Sequence, residues 1–255
     1  MRKLVLRVEL GSSWVAGRIA ERRGFLRPVE LPGPRAIAVH GQDKASLADA
    51  LAMAASDLLR QGARLERACL EAQLGMGHAR VGLMRLATSD KGPVPAALLQ
   101  TYVAGWVQQM LHLSPDTQLI RWQVLRDPRC VLVSCVERSA IAALLRFADD
   151  HKLKFTTCLP AAMLAVREGR QLGSRTLLWT EGIGNQRDAC LQMFRFEHGQ
   201  PSASWRGWVA LSPGALPLDA EADAALRRFH AGHAAPAEHE TLHRHWPLSS
   251  APVAA

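Results

Sequence analysis

The sequence VELGSSWV, residues 8–15, places a Gly-Ser-Ser turn between two apolar segments. Apolar residues alternate with other residues through positions 4–8, which is typical of a half-buried β-strand. A second apolar segment continues from position 14 to position 20. We therefore predict that the chain opens with a β-hairpin whose tip is Gly11-Ser12-Ser13.

A second glycine turn lies near the other end of the domain. Residues 177–184 read LLWTEGIG, and a strand is predicted after them, over residues 189–197. A glycine at a hairpin tip lets backbone N–H groups approach a phosphate, and nearby hydroxyl groups add donors. Two such hairpins that faced each other would hold the phosphates of a nucleotide. Taken in isolation, Gly11-Ser12-Ser13 is better explained as an ordinary hairpin turn, and the second turn is what favours the phosphate interpretation.

The rest of the chain alternates strands with helices, as in an α/β protein. Ser46 and Asp49 resemble a capping box and begin a helix that ends at Gly62. A second helix, from Pro95 to about residue 113, is predicted to bury Leu99, Tyr102, Trp106 and Met110. Further helices are predicted over 139–151, from Pro160 onward and over 219–230, and further strands at 25–29, 68–74, 80–86, 118–125, 130–136, 153–156, 176–180 and 203–211, with 31–44 as a loop.

The two turns, and the order of elements between them, resemble the actin-like ATPase superfamily. The resemblance is closest to the type IV pilus protein PilM and the cytoplasmic domain of the type II secretion protein GspL. That family opens with a pattern of the form Asp-x-Gly-Ser-Ser-x-x-Lys, and residues 9–16 keep its Gly-Ser-Ser core. Residues 131–165 resemble the strand–helix–strand–helix segment before the family's second phosphate hairpin. The resemblance covers residues 3–210 and implies an actin-like α/β fold with two RNase H-like lobes, mixed sheets and flanking helices, formed by residues 1–230.

The resemblance also implies a nucleotide site, and three polar positions of that site are altered in this chain. The corresponding residues are Glu9, Gly11, Ser12, Ser13, Thr180, Gly182 and Gly184. Glu9 replaces an aspartate and moves the carboxylate by about one methylene, although metal–phosphate geometry tolerates little displacement. Ala16 replaces a lysine and Thr180 replaces a second aspartate. We therefore predict no catalytic residues, no metal site, and either no cofactor or weak binding of Mg-ATP.

By resemblance, the chain is a cytoplasmic scaffold of a pilus or secretion apparatus with little or no ATP hydrolysis. Proteins of this family bind a short cytoplasmic peptide of an inner-membrane assembly protein, and we expect the same here. A pilus or secretion motor ATPase and a second copy of the chain are further candidate partners. No apolar run approaches the ~18–20 residues of a membrane helix, so the chain is expected at the inner membrane only through a partner.

Two other functions stay open at this level. The first is an active nucleotide-dependent phosphotransferase or ATPase of the same superfamily. The second, less favoured, is a nucleic-acid-binding accessory protein, because the net charge is +8 and residues 1–35 hold eight basic side chains against three acidic ones. An arginine-rich composition also follows simply from a GC-rich genome.

Neither cysteine nor histidine gives a convincing metal site. Cys69, Cys130, Cys135, Cys158 and Cys190 form no C-x-x-C pair and are predicted to be buried free thiols. Residues 231–255, rich in Ala, Pro and His, are predicted to be a disordered tail. Within this tail, residues 239–243 read HETLH, which is formally the zinc-protease pattern. That chemistry needs a long buried helix and a third ligand, whereas prolines flank this pattern on both sides.

Overall fold

A computed structural model describes residues 2–11, 14–23, 29–39, 46–60, 65, 68–86, 94–169, 173, 176–181, 188–210 and 241–246. The strands are β1 (Arg2–Leu10), β2 (Trp14–Arg23), β3 (Val29–Val39), β4 (Cys69–Leu74), β5 (Ala79–Arg85), β6 (Gln118–Val124), β7 (Cys130–Glu137), β8 (Lys154–Pro160), β9 (Thr176–Glu181), β10 (Asp188–Glu197), β11 (Gln200–Ala210) and β12 (Thr241–Trp246). The helices are α1 (Leu47–Arg60), α2 (Ala96–Leu111), α3 (Arg138–Asp150) and α4 (Ala162–Gly169), with a short 3-10 helix over Pro115–Thr117.

The chain forms two compact units, and the first is built on a five-stranded sheet. This unit comprises residues 1–80, 113–119 and 135–160. Its strand order is β3-β2-β1-β4-β8, antiparallel from β3 to β1 and parallel from β1 through β4 to β8. Parallel neighbours need crossover connections. Helix α1 lies between β3 and β4 in the chain, and α3 precedes β8.

One face of this sheet packs on α1 and α3. Leu6, Val8 and Leu10 alternate along β1 and contact a buried cluster that includes Leu58 of α1 and Leu144 of α3. Each fully buried side chain of this size contributes roughly 1.5–3 kcal/mol. Because side chains on a strand alternate between faces, Arg7 and Glu9 lie on the opposite face of β1.

Helix α1 begins with the cap that the sequence predicts. Ser46 Oγ accepts a hydrogen bond from the backbone N–H of Asp49 at 3.2 Å, and the Asp49 carboxylate accepts one from the backbone N–H of Ser46 at 2.9 Å. These bonds to backbone and hydroxyl donors hold the pKa of Asp49 below its usual value. The reciprocal pair satisfies two donors that the first helical turn would otherwise leave without partners.

The second unit comprises residues 81–112, 120–134 and 161–255. It contains a four-stranded sheet of order β11-β10-β9-β12 and most of a three-stranded sheet of order β5-β7-β6. Although β4 and β5 are separated only by a short turn at Gly75, they belong to different sheets. In the three-stranded sheet, Gly82 of β5 leaves room for the indole of Trp106 on α2.

Three features differ from the sequence-based expectations. Residues 29–39 form strand β3 although the prolines at 32 and 34 predict a loop; β3 is an edge strand, where proline is tolerated. Helix α2 buries Leu99, Val103 and Val107, while Tyr102 and Met110 are exposed. Residues 241–246, in the segment predicted to be disordered, form β12, which pairs in parallel with β9 over all six residues. The predicted helix at 219–230 lies outside the described residues.

Candidate functional site

The first glycine turn joins β1 to β2. The backbone N–H of Gly11 donates to the carbonyl oxygen of Trp14 at 2.8 Å, and the two strands then pair from Leu10–Val15 outward. The backbone N–H of Gly75, after β4, donates to Leu10 O at 2.6 Å. Gly11 therefore lies where three chain segments of the first unit meet. Ser12 and Ser13 lie outside the described residues.

The indole of Trp14 lies against the backbone of Gly11. A methyl group added at Gly11 would overlap the pyrrole edge of that indole, and the Trp14 side chain is only 1% exposed. The backbone at Gly11 is not left-handed, so the glycine is needed here for space rather than for its φ angle. Tryptophan packing thus explains Gly11 without any ligand.

Glu9 is a buried carboxylate held by an arginine of the same hairpin. It is 2% exposed, and its Oε1 accepts a hydrogen bond from Nη2 of Arg18, which forms an ion pair with it. Ala16 lies directly opposite Glu9 in the strand register, and Arg18 lies two residues further along β2, so its side chain reaches Glu9 diagonally. Facing residues and their diagonal neighbours are the pairs that interact across a sheet. The carboxylate that the resemblance assigns to a metal and its water is therefore bound to a guanidinium.

A second ion pair extends the same row of charges. Arg7 faces both Arg18 on β2 and Glu71 on β4, and its Nη2 lies 3.7 Å from Glu71 Oε2. The side chains of Arg7 and Arg18 are 16% and 12% exposed. Two of the eight basic residues counted in the N-terminal region are therefore paired within the sheet face. These two arginines therefore present little exposed charge to a nucleic acid.

The second glycine turn is described only at its strands. Thr180 lies on β9, where it faces Leu191 of β10 and His245 of β12. Gly182 and Gly184 lie outside the described residues, so their part of the predicted site stays a prediction. The added strand β12 places a histidine-containing segment beside Thr180, which sequence reasoning missed because this segment has low apolar periodicity.

No metal centre is found among the described residues. They contain no group of three or more His, Cys, Asp or Glu side chains with suitable geometry. His243, the last residue of the HETLH pattern, lies in strand β12 rather than on a helix, which is the setting that a zinc-protease motif requires. His239 and Glu240 lie outside the described residues.

The cysteines with described side chains are free thiols. Cys130 and Cys135 are buried, and Cys69 and Cys158 are partly buried. Burial raises the pKa of Cys135 to about 11 and that of Cys158 to about 12. Both thiols are therefore protonated at neutral pH and are poor nucleophiles.

In the ranges that the structure describes, no helix combines the length and the apolar character needed to cross a membrane.

Solved structures identify the class of fold, whereas sequence comparisons are silent: no family model and no curated protein matches this chain. The fold is that of the actin-like ATPases. One similar structure is a Bacteroides thetaiotaomicron protein with an actin-like ATPase fold and unknown function. The match covers 95% of this chain and 81% of that protein's chain, with a TM-score of 0.54 and 10% sequence identity.

Two further similar structures come from type IV pilus biogenesis and from a type II secretion system. The PilM-PilN type IV pilus biogenesis complex matches 91% of this chain and 66% of its own chain, with a TM-score of 0.52 and 14% identity. The cytoplasmic domain of EpsL, an inner-membrane component of the type II secretion system of Vibrio cholerae, matches 99% of this chain and 87% of its own, with a TM-score of 0.50 and 10% identity. These likenesses confirm the actin-like α/β fold that the sequence predicts.

Proposed function

We propose that this chain is a cytoplasmic adaptor of a type IV pilus or type II secretion-like machine. It binds a short cytoplasmic peptide of an inner-membrane partner and hydrolyses little or no ATP. The adaptor role is supported by the likeness to the PilM-PilN complex and to the EpsL domain, each over more than nine-tenths of this chain. A fold hosts many functions, so the site must support the proposal independently.

The pairing of Glu9 with Arg18 is the observation that supports the proposed lack of ATP hydrolysis. Phosphoryl transfer depends on a metal ion that neutralises charge on the phosphates, and carboxylates hold that ion. Here the partly buried Arg18 neutralises the carboxylate at the corresponding position, and Trp14 covers the backbone of Gly11. Ala16, opposite Glu9, supplies no cation for a phosphate. In this proposal the chain keeps the hairpin of a phosphate site, while the Glu9 carboxylate is used in an internal ion pair.

The adaptor role is tested by capture of its partner. We expect the tagged full chain to retain an inner-membrane protein from detergent-solubilised membranes of the source cells, and a synthetic copy of that protein's cytoplasmic segment to compete with it. An unrelated cytoplasmic protein with the same tag is the control. Failure to enrich any inner-membrane protein above this control, in repeated preparations, would contradict the adaptor role.

Turnover is tested with Mg-ATP. Isothermal titration of the full chain is expected to show no binding in the micromolar range, and phosphate release is expected to stay at the level of buffer alone. The physical reason is that Mg²⁺ would have to displace the Arg18 guanidinium from Glu9 inside the sheet face. Micromolar binding together with phosphate release would instead identify an active phosphotransferase or ATPase.

A further inference from the structure

Strand β6 forms an open edge of the three-stranded sheet. The order β5-β7-β6 leaves two edges. At the β5 edge, backbone groups of β5 are hydrogen-bonded to side chains of β10 and β11. The backbone N–H of Leu83 donates to Ser204 Oγ at 2.9 Å, and the carbonyl oxygen of Val81 accepts a hydrogen bond from the Gln192 side chain. In the described part of the chain, no strand pairs with the outer edge of β6.

The outer edge of β6 is apolar and accessible. Val124 is 40% exposed, Arg121 and Gln123 are exposed, and Ile120 and Trp122 are half-buried. Soluble proteins normally protect edge strands with proline, bulges or short length, as β3 does with its two prolines. Strand β6 has seven residues, no proline, and β-branched or aromatic residues at alternate positions. Such an edge is a template for another strand.

The backbone direction of β6 shows which residues would pair with an added strand. The N–H of Leu125, just after β6, donates to Cys130 O at 2.9 Å and therefore points toward β7. In an antiparallel ladder the backbone groups of successive residues point alternately to the two sides. The N–H and C=O groups of Ile120, Trp122 and Val124 consequently point to the open edge.

The charges around this edge favour an acidic ligand. Arg121, Arg126 and Arg129 are exposed, and no ion pair joins them to another described residue. The nearby Asp127 carboxylate is used by its own turn, where it accepts hydrogen bonds from the Arg129 N–H at 3.0 Å and from Cys130 Sγ at 3.5 Å. Three exposed arginines therefore stand beside β6 against two exposed carboxylates, Asp116 and Asp127, and the balance of charge is cationic.

We propose that β6 binds an extended segment of a partner protein as an additional strand, and that apolar and acidic residues alternate in this segment. Main-chain hydrogen bonds would supply affinity, and the three arginines would select acidic side chains. A second copy of this chain is a less suitable partner for the β6 edge than an acidic peptide, because it carries the same arginines and a net charge of +8. The proposal rests on the proposed adaptor function, since it assigns to β6 the capture of the membrane partner's peptide.

The first test uses two fluorescein-labelled peptides as long as β6, one alternating valine with glutamate and the other valine with lysine. Fluorescence anisotropy with the full chain is expected to show saturable binding of the glutamate peptide only. Arg121→Glu should weaken that binding by about tenfold, because it reverses the charge nearest the strand centre. Arg146→Glu, at an exposed position on α3, is the matched control and should bind as the parent chain does.

Backbone pairing is tested separately with Val124→Pro. This substitution removes an outward N–H and leaves the ladder to β7 intact, so it should weaken binding without changing the melting temperature by more than a few degrees. The proposal would be overturned if the parent chain bound both peptides equally. It would also be overturned if Arg121→Glu and Val124→Pro both bound the glutamate peptide as tightly as the parent chain does. Sedimentation showing a dimer of the chain that either substitution dissociates would overturn it as well.

Membrane capture with the same variants separates the two proposals. If the parent chain and Arg121→Glu capture the inner-membrane partner equally, the assignment to β6 fails and the adaptor function stands. If the parent chain binds the glutamate peptide but captures no membrane protein, the adaptor function fails and the β6 site stands. Capture by the parent chain and by Arg146→Glu, with loss in Arg121→Glu, supports both.

Discussion

Trp14→Ala is expected to lower the free energy of unfolding by roughly 3–5 kcal/mol, the usual cost of truncating a fully buried tryptophan. The indole is 1% exposed and fills the space beside Gly11, so its loss leaves a cavity at the junction of β1, β2 and the turn after β4. The measurement is urea unfolding followed by circular dichroism. A loss below about 1 kcal/mol would show that the indole does not pack there, because surface substitutions have effects of that size.

The contact between Trp14 and Gly11 can be isolated by a double-mutant cycle. Gly11→Ala should destabilise the parent chain by about 1–3 kcal/mol, since its methyl group would overlap the indole. The same substitution in the Trp14→Ala background should cost much less, because the indole is gone. Gly105→Ala on α2 is the matched control: a methyl group there meets nothing within 4 Å and should stabilise the helix slightly. Additive effects of Gly11→Ala and Trp14→Ala would contradict the contact.

Arg18→Met is the second substitution with a large expected effect, again about 3–5 kcal/mol of unfolding free energy. Methionine keeps most of the length of the side chain but leaves the Glu9 carboxylate buried without the guanidinium that holds it. Removal of one member of a buried ion pair is costly for this reason, whereas replacement of both members is often close to neutral. The measurement is the same urea titration.

The double variant Glu9→Gln with Arg18→Met should therefore be more stable than Arg18→Met alone. Arg146→Met, at an exposed position on α3, is the control and should change stability by no more than about 0.5 kcal/mol. The single variant Glu9→Gln completes the comparison. If the double variant lost as much unfolding free energy as Glu9→Gln and Arg18→Met lose together, Glu9 and Arg18 would not be coupled.

The elements best predicted from sequence are those whose capping residues and apolar pattern agree with the packing they have in the folded protein. Helix α1 has a cap at Ser46 and Asp49 and a single apolar face, and both are realised in the structure. Strand β3 was missed because its prolines argue against a ladder, and only its position at a sheet edge makes them acceptable. The exposure of Tyr102 on α2 could not be predicted, because it depends on where the three-stranded sheet lies against the helix.

The candidate site was only partly predictable for a related reason. The altered residues Glu9 and Ala16 are visible in the sequence, but the partner of Glu9 is not. In the sequence Arg18 is only one of eight basic residues near the N-terminus, because its pairing depends on the register of the hairpin. Once the tip is placed at Gly11, the diagonal relation of Glu9 and Arg18 follows. The packing of Trp14 on Gly11 needs three-dimensional information, since a glycine needed for space and a glycine needed for a phosphate look alike in sequence.

Strand β12 has a consequence for the order in which the protein is made. Strand β9 can pair with β10 as soon as both have been synthesised, because the two are close in the chain. Its other neighbour, β12, follows only after dozens more residues have left the ribosome. Until then the free side of β9 is exposed, and pairings between distant segments form slowly. The nascent protein therefore passes through a period in which one central strand of the second unit is open to misassembly, and a chaperone that binds extended segments would be of most use then.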